Sequence, residues 1–151
     1  MNGVNMKISN SVIWIALGFS FVSTVMAHEG HVKNDFSGIY DCHGMDASEG
    51  HFMGKVTITL QPKHSKDNEV SYTYLLEVPG FGSYKGFAAA QGMDAAIYFA
   101  LDDKTNEDYG VGIAKFYKEE GGPLQFHKYY FEPGYKGGNT GTEDCIRQEK
   151  N

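Results

Sequence analysis

The sequence predicts an all-β fold, a single antiparallel up-and-down barrel of about eight strands, with a two-sheet β-sandwich as the alternative. Segments of strand length with alternating apolar residues recur along the chain. The connections between these segments are short, so that neighbouring strands are expected to pair antiparallel. The chain also holds only two cysteines, Cys42 and Cys145, which lie near opposite ends of the strand-rich region.

Residues 1–27 are predicted to be a secretory signal peptide. Lys7 is the only charged residue before Ala27, and an apolar run extends from Val12 to Val25. This run has the length of a signal h-region and is short for a bilayer span, although an uncleaved membrane anchor is the alternative. Export would place the protein in the periplasm or outside the cell, where a disulfide can form. No membrane insertion is expected after the signal is removed.

The remainder is predicted to be a mobile polar tail over 28–35 and one domain over 36–148. The whole sequence carries a net charge of −6, and the predicted leader contains no acidic residue. An acidic surface repels phosphate groups, which argues against nucleic-acid binding. Ten tyrosines and 19 glycines are a composition typical of curved sheet.

The first half of the domain contains three predicted strands and one ambiguous segment. A strand over 36–43 precedes a polar turn at 44–50. The strands over 52–60 and 70–78 show the clearest period of two, because apolar and polar residues alternate along them. The segment 81–91 contains three consecutive alanines that favour helix, but its glycines keep any helix short.

The second half contains four predicted strands, over 95–101, 109–117, 124–131 and 137–147, separated by polar or glycine-containing turns. In a closed barrel the first strand pairs with the last. A disulfide needs two Cα atoms within about 7 Å, a separation that strand pairing supplies. The sequence therefore predicts a disulfide between Cys42 and Cys145, with two free thiols as the alternative.

Gly38-Ile39-Tyr40 lies in the first predicted strand and Arg147 at the end of the last. This arrangement resembles the calycin-type barrels, among them lipocalins and avidins, in which a Gly-x-Trp of strand one packs near a late Arg. Here Tyr40 takes the place of the Trp. The chain is also similar to small exported bacterial proteins of unassigned function that open with Gly-x-Tyr and end with Gly-Thr-Glu, here Gly141-Thr142-Glu143. The resemblance implies a barrel able to hold a small apolar ligand, with structural roles for Gly38, Tyr40 and Arg147.

Inward-facing small residues beside aromatic ones would leave a ligand cavity inside the barrel. The alternative is a filled interior in which small and large side chains interlock. The small residues are Ala88, Ala90, Ala95, Gly110, Gly112 and Ala114. The predicted ligand-binding residues are Tyr72, Tyr74, Tyr98, Phe99 and Phe126.

Two groups of polar residues are candidates for binding Zn²⁺ or Cu²⁺, because imidazole and carboxylate ligands suit such ions. The alternatives are a solvated turn and a flexible tail, because neither group matches an established ligand spacing. The group around the first turn comprises His43, Asp46, Glu49 and His51. The second lies at the N-terminus that cleavage would expose, where His28 offers its ring and α-amine and His31 is close by.

The sequence contains no motif of a nucleophilic hydrolase, zinc protease or phosphate-binding loop, so catalysis is not expected. Glu143 and Asp144 are adjacent on a strand and should point to opposite faces. The predicted function is therefore non-catalytic binding of a small apolar ligand in or at the mouth of the barrel. The alternatives are an exported protein partner, bound or inhibited through loops and the aromatic residues of 129–135, and periplasmic metal binding.

Overall fold

The computed structural model describes residues 31–103 and 107–149. Eight strands form one closed barrel in which each strand pairs with its sequence neighbours and the last pairs with the first, always antiparallel. The strands are β1 (Gly38–Asp46), β2 (Gly50–Leu60), β3 (Glu69–Val78), β4 (Gly82–Gln91), β5 (Asp94–Leu101), β6 (Tyr109–Lys118), β7 (Leu124–Glu132) and β8 (Asn139–Arg147). The predicted up-and-down barrel is confirmed, and the sandwich alternative is excluded.

Two segments differ from the prediction. β1 continues to Asp46, inside the segment predicted as a turn, because its end pairs with both β2 and β8. The three alanines lie in β4 and not in a helix, since Ala88 stands between Tyr72 of β3 and Ile97 of β5. Pairing on both sides therefore overrides the helix propensity of alanine.

The β1–β8 pair closes the barrel and carries the disulfide. Its register runs from Tyr40 opposite Arg147 to Asp46 opposite Gly141. Cys42 lies directly opposite Cys145, with their Cα atoms 4.1 Å apart and their sulfurs bonded. The predicted disulfide is confirmed, and it joins residues 103 positions apart.

The two ends of the barrel differ. At one end, which we call the closed end, Phe36 enters the interior and stacks on Phe116 with ring centroids 3.9 Å apart. The centroid of the Tyr72 ring lies 6.0 Å from that of Phe36. The opposite end, which we call the mouth, is formed by the β1–β2, β3–β4, β5–β6 and β7–β8 hairpins. Aromatic packing therefore fills the closed end of the barrel.

Residues 31–35 lie against the closed end. The Lys33 N–H donates a hydrogen bond to the carbonyl oxygen of Asp67, and the Asn34 side chain donates to that of Gly92. This part of the predicted mobile tail is thus tied to the barrel. Residues 28–30 and the predicted signal peptide lie outside the described residues. Over 31–103 and 107–149, no helix is both long and apolar enough to cross a membrane.

The three residues that the calycin resemblance singled out lie together. A Cβ atom on Gly38 would come within 2.7 Å of Arg147 Cδ, so that the arginine side chain covers this glycine. Tyr40 pairs with Arg147 across the sheet and donates its hydroxyl to the Phe36 carbonyl oxygen at 2.7 Å. A closed barrel needs such packing where its first and last strands meet. The relationship to the calycins itself stays a prediction.

The disulfide is expected to supply a large part of the stability. Replacing Cys42 and Cys145 together by alanine should lower the free energy of unfolding by about 2–5 kcal/mol, because the unfolded chain loses a long cross-link. Urea unfolding of the oxidised protein and the double variant measures this difference. Thiol titration of the denatured, unreduced protein should find no free thiol, and detection of two would contradict the bond.

Candidate functional site

The structure places four of the five predicted ligand-binding aromatics inside the barrel. Tyr72, Tyr74, Phe99 and Phe126 are buried, whereas Tyr98 lies on the outer face, because Ile97 and Phe99 on either side of it point inward. The prediction for Tyr98 is wrong. The six small residues predicted to face inward are all buried: Ala88, Ala90, Ala95, Gly110, Gly112 and Ala114.

These small residues make room for large side chains and leave little empty space between them. At Gly112, an added Cβ would lie 3.2 Å from Lys128 Cγ, so the lysine side chain occupies the space over this glycine. Aromatic rings of the interior also contact one another, and the ring centroids of Tyr40 and Phe126 lie 5.2 Å apart. Small and large side chains thus interlock in this part of the interior.

The predicted metal ligands are not brought together. His43 and His51 are exposed on the outer face, whereas alternation along β1 turns Asp46 inward. Glu49 accepts hydrogen bonds from Tyr135 and Lys136 in the β7–β8 turn. His31 is exposed, and His28 lies outside the described residues. Among the described residues, the only three ligand atoms close enough to share an ion belong to Cys42, Glu143 and Cys145, whose sulfurs form the disulfide.

A buried polar cluster that the sequence analysis did not identify lies beneath the mouth. Its members face inward from β1, β7, β8 and the β5–β6 turn. The sequence did contain a signal for this cluster, because alternate residues of a strand share a face (strand parity). If Phe126 faces inward, so do residues 128, 130 and 132, and if Cys145 faces inward, so do residues 143, 141 and 139. The cluster comprises Asp46, Asp108, Lys128, Tyr130, Glu132, Asn139 and Glu143.

Lys128 and Glu143 form an ion pair at the centre of the barrel. They lie opposite each other on β7 and β8, with Nζ 2.8 Å from Oε1, and their side chains are 0% and 1% exposed. Nζ also donates to the Tyr74 hydroxyl at 2.9 Å and lies 4.7 Å from the centroid of the Phe99 ring. The aromatic faces compensate part of the lost hydration of the ammonium group.

Asp46 is held by four hydrogen bonds. Its Oδ1 accepts the backbone N–H groups of Ser48 and Glu49, and its Oδ2 accepts the Tyr130 hydroxyl at 2.8 Å and the Asn139 amide at 2.7 Å. Burial acts to raise the pKa of Asp46, but these four donors together lower it below its ordinary value. Asp46 is therefore an ionised carboxylate whose acceptors are fully used within the fold.

A glycine allows Tyr130 to reach Asp46 from two strands away. Gly141 on β8 pairs with Asp46 on one side and with Tyr130 on the other. An added Cβ on Gly141 would lie 2.1 Å from the Tyr130 hydroxyl oxygen, so that any larger residue would occupy the path of the tyrosine. Burial raises the pKa of Tyr130, which keeps its hydroxyl protonated as a donor to Asp46.

Glu132 and Asp108 have fewer hydrogen-bond donors than Asp46. Glu132 Oε2 accepts the Asn139 amide at 2.7 Å, and burial, reinforced by the nearby Asp108 and Asp46, raises the pKa of Glu132 to about 7. Asp108 Oδ2 accepts the Tyr84 hydroxyl at 2.9 Å, whereas Oδ1 is buried with no partner among the described residues. Burial likewise raises the pKa of Asp108. These two carboxyl groups retain unused acceptor capacity.

Backbone contacts position Asp108 at the mouth. Its carbonyl oxygen accepts the N–H of Leu101 at 2.8 Å, which closes the β5–β6 hairpin. The β7–β8 turn approaches the preceding residue so closely that a Cβ on Gly134 would lie 2.5 Å from the Glu107 carbonyl oxygen. The two turns thus hold Asp108 beside β7, on the same wall as Glu132.

A cavity of about 50 Å³ separates these carboxyl groups from the entrance. Glu143 lies at its floor, and the other buried carboxyl groups lie along its wall. Phe52, Val78 and Phe81 form the apolar part of its rim, with Phe81 half exposed. Four buried carboxyl groups face one buried cation, Lys128, in the part of the chain that the structure describes. The lining residues are Asp46, Glu49, Phe52, Leu76, Val78, Phe81, Tyr84, Phe99, Asp108, Tyr130, Glu132, Tyr135 and Glu143.

A second feature lies on the outside of β4–β7, and we call it the outer apolar face. Two rows of paired residues cross these four strands, and both consist of apolar or aromatic side chains. Polar and ionisable residues continue beyond them, including His127, whose Nδ1 lies 2.7 Å from Oδ1 of Asp144. The rows are Phe87, Tyr98, Val111 and Phe131, and Ala89, Ala96, Ile113 and Tyr129.

Comparison with known proteins does not assign this site. No protein-family model matches the chain, and no curated protein matches it. The function must therefore be inferred from the geometry of the barrel itself.

The buried ion pair gives a testable stability effect. Lys128→Met leaves Glu143 buried without its cation and should lower the free energy of unfolding by about 3–5 kcal/mol. Adding Glu143→Gln removes the unpaired charge and should recover at least half of the loss. Urea unfolding measures both variants. Lys115→Met on the outer face of β6 is the control and should change stability by less than about 0.5 kcal/mol; an equal loss there would contradict the role of the buried pair.

Glu132 should make stability fall as pH rises. The pKa of Glu132 in the folded state is about 7, above its ordinary value of 4.5, so between these pH values the folded state binds more protons than the unfolded state. The contribution of protonated Glu132 to stability is therefore lost as pH rises through 7. Glu132→Gln removes this dependence. The free energy of unfolding of the variant, measured relative to that of the native protein, should increase by up to about 3 kcal/mol between pH 5 and pH 8.5. Urea unfolding at both pH values measures the gain, and a pH-independent difference would rule out the raised pKa.

Proposed function

We propose that this protein is an exported, non-catalytic binding protein that takes a small ligand at the mouth of the barrel. The observation that carries the proposal is the cavity beneath the mouth, whose wall includes Asp108 Oδ1, a buried acceptor with no hydrogen-bond partner among residues 31–103 and 107–149. A buried acceptor without a donor costs free energy, which a ligand with a donor group would recover.

The size of the cavity limits how the ligand binds. A volume of about 50 Å³ is smaller than the roughly 150 Å³ that admits benzene, but it exceeds the volume that one water needs. One head group fits inside, and the rest of the ligand must lie at the rim. Phe52, Val78 and Phe81 supply apolar contact there. The apolar part of the ligand expected from the sequence thus corresponds to the rim and not to the interior.

The disulfide supports export, because such bonds persist in oxidising compartments, and the predicted signal peptide agrees with it. The hydrogen bonding supports a non-catalytic role. Asp46 is saturated by donors, and Asn139 links it to Glu132. This arrangement fixes Asp46 in place and does not present it as a free base.

Titration of ¹⁵N-labelled protein with n-butylamine, 1-butanol and butyrate tests the mouth as a binding site. We expect at least one probe to shift the amide signals of Tyr84, Asp108 and Gly134 while leaving Gly121, at the closed end, unchanged. Phe81→Ala should weaken this binding several-fold, because the rim loses its apolar contact. Phe87→Ala, an exposed phenylalanine on the outer apolar face, is the matched control. Absence of shifts with every probe would contradict the proposal.

The outer apolar face favours a second candidate function, binding of an exported protein partner. Contiguous exposed apolar surface of this kind marks protein contacts in many proteins. The partner would present an apolar surface bordered by charged groups, to match Lys115, His127 and Asp144 at the edge of the face.

Cross-linking in the native host tests this second candidate. Ile113→Asp places a charge in the middle of the face and should abolish the cross-linked species, whereas Thr73→Asp on the outer side of β3 should retain it. Sedimentation of the purified protein shows whether the partner is a second copy. A cross-linked species that survives Ile113→Asp would exclude the face as its docking surface.

A further inference from the structure

We infer that the cavity at the mouth binds a primary alkylammonium group, with its hydrocarbon chain lying on the apolar rim. This inference rests on the proposed function, because it assigns a class of ligand to the same cavity. It follows from the charges, the hydrogen-bond donors and acceptors, and the size of the site.

The buried charges around the cavity favour a cationic ligand. Asp46, Asp108, Glu132 and Glu143 are buried around the cavity, each 8% exposed or less, and Lys128 already pairs with Glu143. At the entrance, Lys136 pairs with Glu49 outside the barrel. An anionic ligand would add to the excess of negative charge in a region of low dielectric, whereas a cation reduces it.

The hydrogen-bond donors and acceptors around the cavity favour a ligand that carries donors. The Tyr84 hydroxyl donates to Asp108, the Tyr130 hydroxyl to Asp46, and the Asn139 amide to both Asp46 and Glu132. These donors are therefore used, while Asp108 Oδ1 accepts no hydrogen bond among the described residues. A primary ammonium group carries three donors and no acceptor, which complements such a wall.

A metal ion suits the site less well. A divalent ion needs several oxygen ligands at about 2.0–2.6 Å, which requires those oxygens to lie within about 5 Å of one another. In the described chain, no three carboxylate oxygens of the mouth meet this condition. An ammonium group requires fewer fixed oxygens, because water at the open entrance can accept its remaining donors.

The volume separates primary from quaternary ammonium groups. About 50 Å³ accommodates a group the size of a few waters. A trimethylammonium head is larger and carries no N–H, so it cannot satisfy Asp108 Oδ1. Beyond the head group, Val78 and the half-exposed Phe81 line the exit and can cover a chain of several methylenes.

Binding should strengthen as pH rises. Burial raises the pKa of Asp108, and it brings the pKa of Glu132 to about 7. Glu132 therefore gains charge between pH 5.5 and 8.5, where an alkylamine stays protonated. The charged groups that face them are Asp46, which is ionised throughout, and the Lys128–Glu143 pair. The affinity for an alkylammonium should therefore increase several-fold over this range.

NMR titration of the whole folded protein with n-butylamine at pH 8 is the test, with 1-butanol, butyrate and butyltrimethylammonium as comparisons. We expect n-butylamine to bind at least tenfold more tightly than the other three probes. Asp108→Asn should weaken its binding at least tenfold, and Asp94→Asn, an exposed aspartate at the other end of the barrel, should leave it unchanged. Glu132→Gln serves as a second variant and should flatten the pH dependence whether or not Asp108→Asn folds.

The possible results separate this inference from the proposed function. If 1-butanol or butyltrimethylammonium binds the mouth as tightly as n-butylamine, the ammonium inference fails and the mouth remains a binding site. If no probe binds, both fail.

A lysine side chain of a protein carries the same chemistry as a free amine. A blocked tripeptide, acetyl-Gly-Lys-Gly-amide, tests that source: tighter binding of the peptide indicates a protein lysine, and tighter binding of n-butylamine indicates a free amine.

Discussion

The register between β1 and β8 is the constraint on which the rest of the structure depends. Successive residues of a strand point to opposite faces, so a slip of one residue would turn Asp46 outward and break the match between Cys42 and Cys145. The disulfide fixes this register covalently, and closure removes the two edges that an open sheet would expose. The same alternation that turns Cys145 inward also turns Glu143 inward. The position of the buried carboxyl groups is thus a consequence of how the barrel closes.

The interior contains both a polar centre whose hydrogen bonds are satisfied and a polar wall beneath the mouth whose hydrogen bonds are not all satisfied. Lys128 and Glu143 meet at 2.8 Å beneath aromatic rings, so their loss of hydration is compensated within the fold. Asp46 has four donors, whereas Asp108 has one donor for two oxygens. A fold selected only for stability would remove or pair such a group, because an unpaired buried acceptor is destabilising. Its position next to an entrance is the physical reason for proposing that the mouth binds a ligand.

The sequence predicted the architecture well and the site poorly, for a common reason. Alternation and short turns determine strand order, and two cysteines in an eight-strand pattern indicate where the barrel closes. The metal-binding chemistry of imidazole made His43 and His51 candidate ligands, although alternation along β1 and β2 turns both side chains outward. Parity would have identified Lys128, Glu132 and Glu143 as buried. It could not have shown that Tyr130 reaches Asp46 across Gly141, or that Asp108 Oδ1 has no hydrogen-bond partner among the described residues, because those facts depend on three-dimensional packing.

The mouth and the outer apolar face use the same strands but different residues. On β7, Tyr130 and Glu132 face the cavity, while Tyr129 and Phe131 face outward, and β4 likewise carries Tyr84 toward the cavity and Phe87 outside. Each surface can therefore be altered by substitution without changing a side chain of the other. The shared backbone also means that a partner docked on β4–β7 would pack against the strands that carry Tyr84, Tyr130 and Glu132. These strands are therefore the structural connection between the outer apolar face and the cavity.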